Sequence, residues 1–169
     1  MARRLIPAQQ VPAAVSTVAG WLVDEWAHLY PGWDHAAAVA ELTERGAQGR
    51  PPQTWLLLDD GPDGTASVIG SVGLGLEGEL EAPLPDGDAA AAEVWVVNLY
   101  VAPWARHRGH GTALLEHAVG VARSLAIGEL LLTTEHSADH YTTVGWRRVA
   151  MTTLNGHESV VMRLSTMGR

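Results

Sequence analysis

Residues Asn98 to Thr112 read Asn-Leu-Tyr-Val-Ala-Pro-Trp-Ala-Arg-His-Arg-Gly-His-Gly-Thr. An apolar strand runs into Pro103, a basic turn follows, and Gly109 and Gly111 open a helix whose apolar residues begin at Ala113, Leu114 and Leu115. The first N–H groups of a helix lack intrahelical acceptors and sit at the positive end of its dipole, so a glycine-bared helix start beside a strand end is suited to hold phosphate. The next apolar run, Leu130 to Thr134, is a strand that a helix joins to the one before, so the two should be parallel neighbours in one sheet. Two glycines in a turn also serve left-handed backbone geometry without any ligand, so their spacing alone does not name the bound group. Two rival phosphate loops fit badly: no Gly-x-x-x-x-Gly-Lys-Ser/Thr occurs, and a dinucleotide fold wants a third glycine where Leu114 stands.

A chain of 169 residues is read as one domain, 1–169, long enough to bury a core without staples. With seven Trp, three Tyr and no Phe, that core is aliphatic and Ala-rich with Trp as its bulky filler. Zero cysteine excludes disulfides and a Cys nucleophile and is compatible with a reducing cytoplasm, the expected location. The N-terminal Met-Ala-Arg-Arg-Leu-Ile-Pro lacks the apolar run of a signal peptide, and no segment reaches membrane-spanning length. A net charge of −8 argues against nucleic acid as a partner and favours a cationic substrate, although acidity also serves solubility.

Taken in order, Arg3 to Pro7 reads as a first strand and Val11 to Tyr30 as a first helix, with Val11, Val15, Val18, Leu22, Trp26 and Leu29 at helical spacing. Asp34 is placed to cap a second helix, Ala36 to Arg45, closed by Gly46. Trp55 to Leu58 and Ala66 to Leu76 form a hairpin, and the acidic stretch Glu77 to Glu93 reads as an exposed loop. Glu93 to Val101 is a central strand, Gly109 to Ile127 an amphipathic helix, and Ser137 to Val144 a short helix. Trp146 to Thr152 and Glu158 to Leu164 are final strands joined by an Asn155-Gly156 turn, with Ser165 to Arg169 expected to fray.

Arg106-x-x-Gly109-x-Gly111, preceded by Leu99-Tyr100-Val101-x-Pro103, resembles motif A of the GCN5-related N-acetyltransferases (GNAT), and the element order is similar to theirs throughout. Leu132-Thr133-Thr134, Tyr141-Thr142-x-x-Gly145-Trp146 and Glu25-Trp26 look like the branch containing N-alpha-acetyltransferase 80 and many bacterial relatives. The resemblance implies an α+β, three-layer α/β fold: a mixed, mostly antiparallel central sheet with a splayed parallel pair, flanked by helices. It also implies acetyl-CoA as cofactor. The backbone N–H groups of Arg108, Gly109, His110, Gly111 and Thr112 would hold the pyrophosphate, with Arg106 and His107 beside it. Leu99, Tyr100 and Val101 would pair with the pantetheine arm, and an amide near Leu99 would polarise the thioester carbonyl.

Tyr141 stands where the family places its general acid. Its other reading is a packing Tyr under the last strands. The base is open. Several members carry a Glu where this chain has Trp95; Glu93, two residues earlier, is a candidate acting through water, with Glu135, His136 or a water chain as alternatives. Glu25, Trp26, His28, Asn98 and His136 are the acceptor-side candidates, Trp26 also being in phase with the apolar stripe of the first helix. Eight histidines invite a metal, but no His-Glu-x-x-His occurs and none is expected. The resulting expectation is direct acetyl transfer to a primary amine, that of a small molecule or a peptide N-terminus, by a monomer or homodimer. A non-catalytic acyl-CoA-binding module is the rival reading, because fold alone does not certify activity.

Overall fold

The computed structural model describes residues 2–76, 84 and 93–168. Its elements are β1 (Arg3–Pro7), α1 (Pro12–Trp26), α2 (His35–Thr43), β2 (Gln53–Asp60), β3 (Ala66–Gly75), β4 (Trp95–Val101), α3 (His110–Ser124), β5 (Glu129–Thr134), α4 (Ala138–Thr143), β6 (Arg147–Leu154) and β7 (His157–Ser165). The strands form one seven-stranded sheet in the order β1-β2-β3-β4-β5-β7-β6. All neighbours are antiparallel except β4 and β5, which are parallel.

Helices cover both faces, and β2 shows why its residues are apolar without interruption. Trp55 and Leu57 pack with Leu114, Ala118, Val119 and Ala122 of α3 on one face, while Leu56 packs with Val15, Val18, Leu22, Ala38 and Leu42 of α1 and α2 on the other. Successive side chains of a strand point to opposite faces, so a strand buried on both loses the polar alternation of a half-exposed one. A third cluster, Trp95, Leu131, Val161 and Leu84, lies over the second half of the sheet.

Several expected boundaries move for local reasons. The first helix stops at Trp26, not Tyr30: Leu29 N–H donates to Trp26 O (2.9 Å) and Tyr30 N–H to Ala27 O (3.3 Å), the i→i+3 pattern of tightening turns. Asp34 caps α2 as expected, accepting from Ala37 N–H at 2.9 Å. That helix ends at Thr43 without a glycine cap, because Gln9 Nε2 donates to the freed carbonyls of Thr43 (3.1 Å) and Glu44 (3.0 Å). Gly46 serves instead a close approach, since a Cβ there would lie 2.3 Å from Arg50 O. The C-terminus is also better held than expected at Ser165 and Thr166. Ser165 belongs to β7, and Thr166, 1 % exposed, donates its N–H to Gly128 O (3.0 Å) and accepts from Arg123 Nε (2.7 Å). Of the acidic segment, 77–83 and 85–92 lie outside the described residues.

Two irregularities shape the centre of the sheet. Pairing of β4 with β5 is confined to Trp95 opposite Leu131, with Leu131 N–H donating to Val94 O (3.0 Å). On its other side β4 carries a bulge: Gly73 pairs with Val97 and Ser71 with Tyr100, so Asn98 and Leu99 together oppose Val72. Asn98 has φ +54°, a left-handed conformation that Asn tolerates better than most residues. Ser71 Oγ donates to its carbonyl at 2.7 Å and fixes the bend.

Candidate active site

Where β4 leaves β5, a cavity of about 670 Å³ opens. Leu99, Tyr100, Val101 and Arg106 line one end. Arg106 Nε donates to Val101 O (2.9 Å), and its guanidinium lies 5.4 Å from the Tyr100 ring centroid, so the side chain is braced against the strand end. Asn98 lines the middle, its Nδ2 buried and without a hydrogen-bond partner. A buried amide in that state is costly unless a ligand accepts from it.

His107, Arg108, Gly109, His110, Gly111 and Thr112 form the turn into α3 and do not line this cavity. His107 (φ +61°) and Gly109 (φ +79°) are both left-handed, and no side chain caps the helix start. Ala113 N–H is the first to find a helical acceptor, Gly109 O at 3.0 Å, so the N–H groups of His110, Gly111 and Thr112 have the geometry of an anion cradle. The His110 side chain is buried, and burial pushes its pKa below the ordinary 6.5.

Tyr141, on α4, also lines the cavity and packs its half-buried ring 6.0 Å from that of Trp146. Burial pushes its hydroxyl above the ordinary 10.0. Glu93 precedes β4, is half-buried and does not line the cavity; Trp95, two residues on, does.

The opposite end is built from Glu25 and Trp26 of α1, His28, Tyr30 and Trp33 of the following turns, Glu41 of α2, and Glu135 and His136 after β5. Trp26 both packs on the α1–α2 core and lines the cavity. His28 Nε2 lies 3.1 Å from Glu135 Oε2, His157 Nδ1 3.1 Å from Glu135 Oε1, and His136 Nε2 3.4 Å from the same oxygen. The hydrogen bond from His28 holds the Glu135 carboxyl below its ordinary 4.5, and the charges of His136, His28 and His157 add to it against partial burial. His157 was not anticipated. It stands at the start of β7, far along the chain from its partners, and only the β5–β7 pairing brings it there. One ligand atom each from His28, Glu135 and His157 lie within 4.8 Å, a grouping among the described residues that offers a metal ion three ligands.

The fold has known counterparts. The sequence matches the Acetyltransferase (GNAT) family over residues 18–144, well over half the chain. The chain belongs to the GNAT acetyltransferases. These enzymes take their acetyl group from acetyl-CoA, and three solved structures share the fold. A Desulfovibrio desulfuricans protein assigned to the GNAT family superposes with a TM-score of 0.66 at 18% identity, covering 98% of this chain and 100% of the other. A Salmonella typhimurium protein assigned as an acetyltransferase, solved with acetyl-CoA, gives 0.67 at 15% identity over 100% and 96%. An aminoglycoside 6'-N-acetyltransferase complexed with coenzyme A gives 0.68 at 13% identity over 100% and 99%. Sequence comparison with curated proteins finds no match. Among the described residues, no helix of this GNAT enzyme is long and apolar enough to cross a membrane.

Proposed function

We propose that this GNAT enzyme acetylates a primary amine of a small molecule that carries further positive charge, such as a polyamine or an amino sugar. The observation that carries the reading is the acceptor end of the cavity. Glu25, Glu41 and Glu135 line it together with the aromatic rings of Trp26, Tyr30 and Trp33, and Arg106 at the far end is the one Arg among the lining residues. Carboxylates attract ammonium groups over distance and aromatic faces hold them at contact. An acidic peptide N-terminus would meet like charge here.

In this reading the coenzyme's phosphates take the N–H groups of His110, Gly111 and Thr112, and its arm runs along Leu99 to Val101, replacing the strand pairing that β5 does not supply. The amide near Leu99 polarises the thioester carbonyl, and Tyr141 protonates the leaving thiolate. Attack is direct, since the chain has no Cys to carry the acetyl group. Glu93, off the cavity, would need intervening waters to serve as base.

The test is release of free thiol from acetyl-CoA across spermidine, an aminoglycoside, single amino acids and short peptides. The expected order of kcat/KM places the polycations first. A peptide N-terminus turning over fastest would replace this reading with the N-terminal acetyltransferase one. Acetyl-CoA binding without turnover on any amine would leave a binding module.

A further inference from the structure

Resting on that reading, we infer that His28 is the general base that takes the acceptor's proton, with Glu135 and His157 as the positioning residues that fix its tautomer and hold its ring in place. Three separate elements meet to build this group: the turn after α1, the end of β5 and the start of β7. Asn155 Nδ2 donates to His28 O at 2.7 Å and so ties the β6–β7 turn to the backbone of the base itself. The His157 ring meets that of His28 edge to face, 5.0 Å between centroids at 80°, which restricts rotation of the imidazole.

The hydrogen-bond chemistry fixes the tautomers. An ionised carboxylate has only acceptors, so each histidine that bonds to Glu135 must donate. His28 therefore holds its proton on Nε2 and His157 on Nδ1. That leaves Nδ1 of His28 with its lone pair, on a residue that lines the cavity, whereas His157 does not line it. Glu135 itself is the weaker candidate. Both its oxygens are engaged and it is stabilised as the anion, which makes it a poor proton acceptor and a good partner for an imidazolium. His136, with 82% of its side chain exposed, is held only by its contact with Glu135 at 3.4 Å. The other charged and titratable groups lining the cavity around the base are Glu25, Tyr30, Glu41 and, towards the donor end, Tyr100, Tyr141 and Arg106.

The proton count closes. The ammonium gives one proton to His28 Nδ1, and the freed electron pair forms the C–N bond at the thioester carbonyl. As the adduct collapses the C–S bond breaks, the thiolate takes the Tyr141 proton, and the adduct's surplus N–H proton restores Tyr141. His28 then passes its proton to water, one per amide formed.

The experiment is steady-state acetylation of spermidine from pH 5.5 to 9 with His28→Gln, Glu135→Gln, Glu135→Asp and His157→Gln, each checked for folding by thermal melting. His28→Gln should lower kcat about 10²- to 10⁴-fold with the KM for acetyl-CoA within about twofold, and should abolish the acid limb of kcat/KM. Glu135→Gln should lower kcat by about 10- to 100-fold with the KM for acetyl-CoA within about twofold, because the ring of His28 loses the acceptor that orients it, while Glu135→Asp recovers part of the loss. Nitrogen NMR of the wild-type enzyme, which needs no variant, should find His28 protonated on Nε2. Wild-type kcat and pH profile in His28→Gln, or the opposite tautomer, would overturn the assignment while leaving the acetyltransferase reading intact. Activity abolished by chelators and restored by Zn²⁺ would overturn it in favour of a metal site on the same three residues. Failure of the wild type on every amine would remove the functional reading and the base together.

Discussion

At the scale of single residues, Tyr141 and Asn98 carry the sharpest expectations. Tyr141→Phe keeps the ring that packs on Trp146 and removes only the hydroxyl, so the fold should survive while kcat falls about 10²- to 10⁴-fold with little change in acetyl-CoA affinity; thiol release and calorimetric titration separate the two. Unchanged turnover would leave Tyr141 a packing residue. Asn98 has φ +54° in mid-strand, where Ala is strained by roughly 1–2 kcal/mol and Gly is not. Asn98→Ala should therefore melt several degrees below wild type and Asn98→Gly well above Asn98→Ala. Both should lose activity if the buried amide donates to a ligand.

At the scale of elements, the turn into α3 is where sequence was most informative. Glycines at a strand–helix junction state their purpose locally, and Gly109 (φ +79°) and the uncapped helix start are what that local pattern anticipates. A Cβ at Gly111 would meet nothing of the protein closer than Val101 Cγ2 at 3.9 Å. Gly111→Val should thus leave the melting temperature within a few degrees while raising the Kd for coenzyme A more than tenfold by calorimetry; equal affinity would move the phosphates elsewhere. Element order and the Asn155-Gly156 turn were legible for the same reason, since caps, turns and periodicity are short-range signals. The bulge was not: one Asn in Trp-Val-Val-Asn-Leu-Tyr-Val does not announce a left-handed backbone, which is imposed by the partner strand β3 through Ser71. Neither was the meeting of His28, Glu135 and His157, because strand order is a global property that no local window contains. Strand alternation puts Glu93 on the same face as Trp95, but β4 begins only at Trp95, and it is Trp95 that lines the cavity.

At the scale of the whole molecule, one buried and one half-buried imidazole couple stability to pH. His117 packs edge-on to Trp55, 4.9 Å between ring centroids, with Nε2 unpartnered, and burial pushes its pKa below 6.5; His110 is shifted the same way, chiefly by burial. The unfolded chain then binds protons more readily than the folded one as pH falls through about 6.5, so this contribution is fully present above that value and lost below it. The melting temperature should drop between pH 7 and 5, and His117→Leu should make that drop shallower; an unchanged slope would place the acid sensitivity elsewhere. The parting of β4 from β5 has a further effect at this scale. With one residue pair between them, the sheet is two blocks, β1–β4 and β5–β7, joined along a seam that the protein leaves unstitched. A coenzyme arm lying along Leu99 to Val101 would close that seam, and saturation at about a hundred times its Kd stabilises a fold by about 2.7 kcal/mol. Amide exchange across the seam should therefore slow on both sides when coenzyme is added, and protease resistance should track coenzyme supply. The donor is then a mortar as well as a reagent, and the lifetime of the enzyme a gauge of how much of it is present.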